Sequence, residues 1–224
     1  MKWLPLLFLL APPAVAQTGL TFTTNNNAIT ITGYSGTIPS VLTIPNATNG
    51  YPVTAIGDGA IYAQTTLTDV TIGNSVTNIG DKAFYYCSSL TNIAVNAGNA
   101  SYSSAGGVLF NKAMTTLIEY PAGLAGGYAI PDNVTSIGPN AFYNQTTLTG
   151  VTMPDSVTNI GENAFAYCYG LTNMVIPDSV TSIGDEAFEF CHGLTGVTIG
   201  TNVTNIGEHA FAYCYGLTNV AIPD

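Results

Sequence analysis

The sequence predicts a repeat solenoid of α/β to mainly β structure, with one coil for every 23 residues. The ten residues AFAYCYGLTN stand at 164–173 and again, letter for letter, at 210–219. The related stretch AFEFCHGLTG lies between them at 187–196. A fixed repeat of about 20 to 50 residues indicates stacked coils, each in contact only with its neighbours.

The repeat units share the pattern I-P-x-x-V-T-x-I-G-x-x-A-F-x-x-C-x-x-L-T-x-V-x. An early unit starts at Ile44 and carries about five extra residues before Val53. The regular units start at Ile72, Ile130, Met153, Ile176 and Ile199.

The unit that starts at Met153 predicts what each part of a coil does. Residues 171–176 alternate between apolar and polar as a strand does, and Pro177 ends that strand by removing a hydrogen-bond donor. Gly161 permits a backbone turn, after which Ala164 and Phe165 are expected on a short helical or 3₁₀ turn. The predicted inward positions are Met153, Val157, Ile160, Ala164, Phe165, Cys168, Leu171 and Met174.

The motif C-x-x-L-x-x-V-x-I-P-x-x-V-x-x-I-G-x-x-A-F closely resembles the BspA-type leucine-rich repeat of bacterial surface proteins. The stretch SYSSAGGVLFNKAMTTLIEYPAG at 101–123 resembles the irregular unit of that family, in which a hairpin replaces a regular coil. Residues 20–36 resemble its N-terminal β-hairpin cap. The resemblance implies a right-handed leucine-rich-repeat solenoid with a parallel β-sheet, a role in adhesion or protein binding, and no catalytic residues or cofactors.

Five segments follow from this comparison. They are a signal peptide at 1–16, an N-terminal β cap at 17–43, two coils at 44–95, an irregular hairpin unit at 96–129 and four coils at 130–224. The sequence stops at Asp224 directly after a strand, with no capping unit. We therefore expect a truncated piece of a longer protein, or self-association or a partner that covers the last coil.

The N-terminus predicts export. Lys2 supplies a positive start, residues 4–10 an apolar run, and the sequence AVA before Gln17 a cleavage site after about Ala16. The apolar run is too short to span a bilayer, and no later stretch is long enough either. The mature protein is expected to be secreted or held at the cell surface, without insertion into the membrane.

The charge balance excludes some classes of partner. The chain has 3 Lys+Arg against 13 Asp+Glu, for a formal net charge of −10. Nucleic-acid affinity comes mainly from basic side chains that neutralise phosphates, so a nucleic-acid partner is excluded. Anionic membrane surfaces are disfavoured for the same reason.

The cysteines leave two interpretations open. Export permits disulfides, and four cysteines could form pairs. However, Cys168, Cys191 and Cys214 share one inward register, and three equivalent thiols cannot all pair. We favour buried free thiols that act as small apolar groups. A metal site is disfavoured because no C-x-x-C spacing occurs.

The acidic residues fall in two columns, one after the turn glycine and one after the strand-ending proline. A Ca²⁺-binding ladder is one interpretation, but such sites need several oxygens from one loop. We favour structural roles at turns and helical ends. His192 and His209 occupy different registers and are interpreted as surface variations. The columns are Asp58, Asp81, Glu162, Asp185 and Glu208, and then Asp132, Asp155, Asp178 and Asp224.

Two surfaces are candidate binding sites. The first is the outward face of the strands, which is flat, small-residued and weakly charged. The second is a group of tyrosines beside the cysteines, which either forms an adhesive aromatic patch or covers the coil edges. The candidate binding face comprises Asp69, Thr71, Asn92, Thr152, Asn173, Val175, Thr198 and Asn219. The candidate aromatic patch comprises Tyr167, Tyr169, Tyr213 and Tyr215.

The sequence therefore predicts a non-catalytic interaction module that binds protein or glycan partners outside the cell. One alternative is the targeting or spacer arm of a larger extracellular enzyme, and another is a self-assembling matrix protein. Ice binding by the threonine column that includes Thr158 and Thr181 is a remote alternative, because the residues beside that column vary.

Overall fold

The computed structural model describes residues 19–222, so the predicted signal peptide and Asp224 lie outside the described residues. Strands account for all of its regular secondary structure. The strands are β1 (Leu20–Asn25), β2 (Ala28–Tyr34), β3 (Val41–Ile44), β4 (Ala47–Thr48), β5 (Tyr51–Ile56), β6 (Asp69–Ile72), β7 (Asn78–Ile79), β8 (Asn92–Val95), β9 (Tyr102–Ala105), β10 (Val108–Asn111), β11 (Thr116–Glu119), β12 (Gly126–Ala129), β13 (Ser136–Ile137), β14 (Leu148–Thr152), β15 (Asn159–Ile160), β16 (Asn173–Val175), β17 (Ser182–Ile183), β18 (Gly196–Thr198), β19 (Asn205–Ile206) and β20 (Asn219–Ala221).

The N-terminal end of the solenoid begins with an antiparallel hairpin, as predicted. Strands β1 and β2 pair across a two-residue turn in which Asn26 and Asn27 both have positive φ. Asparagine tolerates this left-handed backbone better than most residues. Strand β2 then pairs in parallel with β5, which joins the hairpin to the first coil.

Each regular coil contributes one strand to each of two rows. The long strands form three parallel groups, β3-β6-β8, β12-β14 and β16-β18-β20. The two-residue strands β13, β15, β17 and β19 follow β11 in a parallel row. The register is constant, since Asn173 pairs with Gly196 and Gly196 with Asn219, an offset of one repeat each time. The predicted solenoid of 23-residue coils is thereby confirmed.

The third side of each coil is a run of turns, and the predicted short helical or 3₁₀ turn is wrong for the described residues. Asn163 and Tyr167 have φ values of 54° and 62°, which interrupt any helix. Alternate N–H groups point to the next coil instead of back along the chain. The N–H groups of Asn163, Phe165 and Tyr167 donate to the carbonyls of residues 185, 187 and 189 at 2.9, 2.7 and 2.8 Å.

The threonine column also joins successive coils. The N–H of Thr181 donates to the carbonyl of Thr158 at 2.9 Å, and its hydroxyl donates to the same oxygen at 3.2 Å. Thr158 and Thr204 make the equivalent hydroxyl bonds to the carbonyls of Thr135 and Thr181. These hydroxyls therefore have partners inside the fold, which accounts for the column without ice binding.

The interior is formed by apolar columns along the solenoid axis. The eight predicted inward residues of the unit at Met153 are all buried. Phe165 stacks on Phe142 and Phe188, with ring centroids 4.7 and 5.0 Å apart. The apolar periodicity of the sequence thus identified the core correctly.

The irregular unit separates two apolar cores. Strands β9, β10 and β11 form an antiparallel meander between the coils. Leu109 belongs to the N-terminal core, whereas Val108 and Phe110 belong to the C-terminal core. The buried side chain of Asn99 fixes the entry to this unit by donating to the carbonyls of residues 73 and 76 and accepting from the N–H groups of residues 101 and 102.

We predict that Gly161→Ala destabilises the fold by about 1–3 kcal/mol, because an added methyl group overpacks the contact between coils. A Cβ at this position would lie 2.7 Å from the backbone carbon of Gly138 and 2.7 Å from the nitrogen of Pro139. Urea unfolding measures the loss. The control is Gly150→Ala, where a Cβ meets nothing within 4 Å, and its effect is expected to stay within about 0.5 kcal/mol. Equal stabilities of the two variants would contradict the proposed close approach.

Candidate functional site

The candidate binding face is divided between separate groups of strands. Asp69, Thr71 and Asn92 lie on β6 and β8, in the N-terminal group. The other five residues lie on β14, β16, β18 and β20, beyond the irregular unit. The meander of β9–β11 lies between these groups in the chain, so the candidate residues do not share one sheet.

Four of the eight predicted residues lie together in a groove on the C-terminal strand row. The groove has a volume of about 1030 Å³. Its floor is low because Gly127 and Gly150, which pair with each other, place no side chain on this surface. Asp155 and Asp178 line the groove, and the exposed Val175 is 63% accessible. The predicted residues in the groove are Thr152, Asn173, Val175 and Thr198.

The N-terminal part of the candidate face is less free to bind. The carboxylate of Asp69 accepts hydrogen bonds from the hydroxyl of Thr68 at 2.7 Å and from the amide of Asn92 at 3.1 Å. These two hydrogen bonds lower the pKa of Asp69, and the bond from Thr68 has the larger effect. Its charge is therefore already satisfied within the sheet.

The four tyrosines of the candidate patch lie in two adjacent stacks on the turn side. In the first stack, Phe190 lies between Tyr167 and Tyr213, with centroid distances of 4.7 and 4.5 Å. In the second, His192 lies between Tyr169 and Tyr215 at 5.2 Å from each ring. The stacks touch each other, since Tyr167 meets Tyr169 at 6.2 Å. The predicted patch is thus one surface of six rings.

The aromatic surface also extends toward the N-terminus. Tyr143 lies 5.1 Å from Tyr167 and 4.1 Å from Tyr85. His192, expected from the sequence to be a surface variation, instead belongs to this stack. The available signal was its register, which is that of Tyr169 and Tyr215 in the neighbouring repeats.

We predict that Tyr167→Asn lowers the free energy of unfolding by about 1–3 kcal/mol, because this ring contacts aromatic neighbours on both sides. Asparagine keeps the left-handed backbone and already occupies the same register at Asn144. The matched change Tyr215→Asn, at a ring that is 76% exposed, is expected to stay within about 0.5 kcal/mol. Urea unfolding of both variants shows whether Tyr167 stabilises the fold more than the exposed Tyr215 does. Equal losses in the free energy of unfolding would refute this prediction.

Three members of the acidic columns accept hydrogen bonds from backbone N–H groups of the next coil. Asp58 accepts from the N–H of Asp81 at 2.9 Å, and Asp185 accepts from the N–H of Glu208 at 2.8 Å. In the second column, Asp178 accepts from the N–H of Thr201 at 2.7 Å. Within residues 19–222, no group of three or more His, Cys, Asp or Glu side chains is placed to hold a metal ion.

The cysteines are free thiols that donate to backbone carbonyls of the preceding coil. Cys168 donates to the carbonyl of Phe142 at 3.0 Å, and Cys191 to that of Phe165 at 3.1 Å. For Cys191, the hydrogen bond with Cys168 is the first cause of a raised pKa. These thiols are thus inert members of the core.

Glu119 is a partly buried acidic residue that the repeat pattern did not single out. It ends β11 in the irregular unit and lines a cavity of about 160 Å³ between the two cores, the seam cavity. Its side chain keeps some accessible surface, which is the surface of this cavity. Burial raises the pKa of its carboxyl from 4.5 to about 8. The same burial raises the pKa of the nearby Cys87 thiol to about 11, and Glu119 adds to that rise.

We predict that Glu119→Gln becomes more stable than the wild type as the pH rises. Because the folded pKa of about 8 exceeds the ordinary 4.5, the folded chain holds a proton that the unfolded chain releases between these values. This group's contribution to stability therefore falls with rising pH in that window. The variant cannot ionise, so its advantage should grow to a few kcal/mol at about pH 8. Urea unfolding at about pH 4, 6 and 8 tests this, with Glu208→Gln as control; parallel profiles would contradict it.

The part of the chain from 19 to 222 contains no helix with the length and apolar character that a membrane crossing requires. Taken together, the strand rows, the groove and the aromatic stacks define a β-solenoid protein with open surfaces built from repeated units. The profile of the BspA type leucine-rich repeat region matches residues 19–125 and 127–224, with six copies. The chain belongs to this family.

Solved structures of bacterial proteins share the fold. The pneumococcal vaccine antigen PcpA is 18% identical with a TM-score of 0.65, over 92% of this chain and 80% of that one. A leucine-rich repeat protein from Eubacterium ventriosum is 20% identical with a TM-score of 0.53, over 92% and 83%. A leucine-rich cell surface protein from Faecalibacterium prausnitzii is 22% identical with a TM-score of 0.51, over 94% and 95%. No curated protein sequence matches the chain.

Proposed function

We propose that this chain is a non-catalytic interaction module that acts outside the cell and binds a protein or glycan in the groove of its C-terminal strand row. The groove carries this proposal. It is open, extends across several coils and has a floor of glycine and small polar residues. Such a surface accommodates an extended partner that spans successive strands.

The charges of the groove restrict the partner further. Its titratable lining residues are Asp155, Asp178 and Tyr128, and no Lys, Arg or His is among the lining residues. A neutral or cationic partner is therefore favoured over an anionic one. Val175 supplies an exposed apolar contact on the groove floor.

Two observations support the non-catalytic and extracellular parts of the proposal. The carboxylates of Asp58, Asp178 and Asp185 accept hydrogen bonds from backbone N–H groups of the next coil, which is a structural role. One structural neighbour is described as a cell surface protein and another as a vaccine antigen. Together with the predicted signal peptide, these descriptions favour secretion or display at the cell surface.

Surface plasmon resonance with immobilised chain tests the groove. The probes are dextran, chitosan and heparin as neutral, cationic and anionic glycans, and lysozyme and serum albumin as basic and acidic proteins. We expect saturable binding of at least one neutral or cationic probe and none of heparin. Binding of heparin alone, or of no probe, would count against the proposal.

We predict that Val175→Arg weakens that binding at least about tenfold, since the substitution places a large cation on the groove floor. Ala113→Arg is the matched control, because Ala113 is exposed in a loop and is not among the residues that line the groove. The control should bind as the wild type does. If both variants lose affinity equally, net charge and not the groove governs binding.

A further inference from the structure

The irregular unit omits the run of turns that each regular coil provides. In its place, residues 116–123 read TLIEYPAG, without the G-x-x-A-F motif. Tyr120 fills the core position and stacks on Phe142 at 5.0 Å. The turn of the coil at 80–87 therefore has no regular neighbour on its C-terminal side.

The consequence is a set of unused backbone donors. In the coil before, the N–H groups of Gly59, Ile61 and Ala63 donate to the carbonyls of residues 81, 83 and 85. The equivalent N–H groups one repeat later are those of Lys82, Phe84 and Tyr86, and across the described residues these three have no hydrogen-bond partner. Lys82 and Phe84 line the seam cavity.

The opposite side of the seam cavity presents unused acceptors. The carboxyl of Glu119 makes no hydrogen bond to any described residue, and burial is the one cause of its shifted pKa. Asn140 also lines the cavity, and its Oδ1 is buried without a partner. A partly buried carboxyl without a donor is costly to ionise unless a ligand supplies one.

Lys82 lines the same cavity, but among the described residues no cation pairs with Glu119. Lys82 extends over the ring of Tyr85, with its Nζ 5.3 Å from the centroid. Lys112 donates to the carbonyl of Ala97 at 3.4 Å. No Arg or third Lys occurs among residues 19–222. A ligand in the cavity can therefore supply the donor that Glu119 lacks in this structure.

We propose that the seam cavity binds the ammonium group of a small primary amine. The ammonium donates to the Glu119 carboxylate, and the short alkyl body lies against Ile79, Leu109 and Ile118. A volume of about 160 Å³ suits a ligand that replaces about five waters, at roughly 30 Å³ each. The two carboxyl side chains in the lining, Asp81 and Glu119, are too few for Ca²⁺, which takes about six to eight oxygens.

The unused N–H groups of Lys82 and Phe84 distinguish two sources of the ammonium group. A simple alkylamine leaves them unpaired. An amino acid with a terminal carboxylate satisfies them as well, because backbone N–H groups bind carboxylate oxygens well.

Isothermal titration calorimetry of the purified chain with n-butylamine and with 4-aminobutyrate tests the proposal. At about pH 7 both ligands bind as ammonium ions, and we expect release of about one proton per ligand. The reason is that Glu119 must ionise to pair, and burial otherwise keeps it protonated. Buffers of different ionisation enthalpy measure this proton. Tighter binding of 4-aminobutyrate identifies an amino-acid site, and tighter binding of n-butylamine identifies a simple amine site.

Glu119→Gln keeps the shape of the side chain and is expected to weaken binding at least about tenfold. Glu208→Gln removes an exposed carboxylate on another coil and should bind as the wild type does. The proposal is overturned if neither amine gives saturable heat, or if Glu119→Gln binds them equally well. Binding of CaCl₂ that depends on Glu119, in place of the amines, would overturn it in favour of a metal site.

Discussion

The constraint on which the rest of the structure depends is the hydrogen bonding between one coil and the next. In the regular coils, backbone donors find acceptors at a constant offset near 23 residues, as Phe165 and Thr181 do. A constant offset brings identical positions into contact, so each position must tolerate its own copy as a neighbour. Phenylalanine stacks on phenylalanine, threonine bonds to threonine, and the turn glycine has no room for a Cβ.

The sequence predicted the fold and the core well, because both depend on apolar periodicity. Phe165, Cys168 and Leu171 recur at one register and are all buried. The turn geometry was harder to predict. Asparagine at 140, 144 and 163 signals a left-handed backbone, but lysine, tyrosine, phenylalanine and glutamate occupy the same two registers elsewhere with equally positive φ. Those residues have no intrinsic preference for that region. The N–H groups of Tyr167, Glu186 and Phe190 donate to the next coil, whereas Lys82 and Tyr86 adopt the same backbone without such a bond.

The candidate sites were predicted only in part, for two different reasons. The strand-face residues were identified by their outward register. The groove, however, depends on glycines that pair between β12 of the irregular unit and β14 of the next coil. Glu119 was missed because its unit departs from the pattern, so no neighbouring repeat supplied a position for comparison. Its cavity is lined by residues 79–84, 109, 116, 118, 119 and 138–140, which are distant in sequence. The repeat pattern identifies residues at recurring positions, whereas a residue of the irregular unit, such as Glu119, is identified only from the structure.

The constant register has a consequence for how such a protein changes length. Because the coils from Met153 onward present the same backbone groups and side-chain columns on both sides, recombination that adds or removes a whole repeat recreates a native junction. The identical decapeptides at 164–173 and 210–219 are what such an exchange leaves behind. A crossover within the meander of β9–β11 has no equivalent partner, since its two sides face different cores. Gene variation is therefore expected to lengthen or shorten the C-terminal array in steps of 23 residues while the meander keeps a single copy.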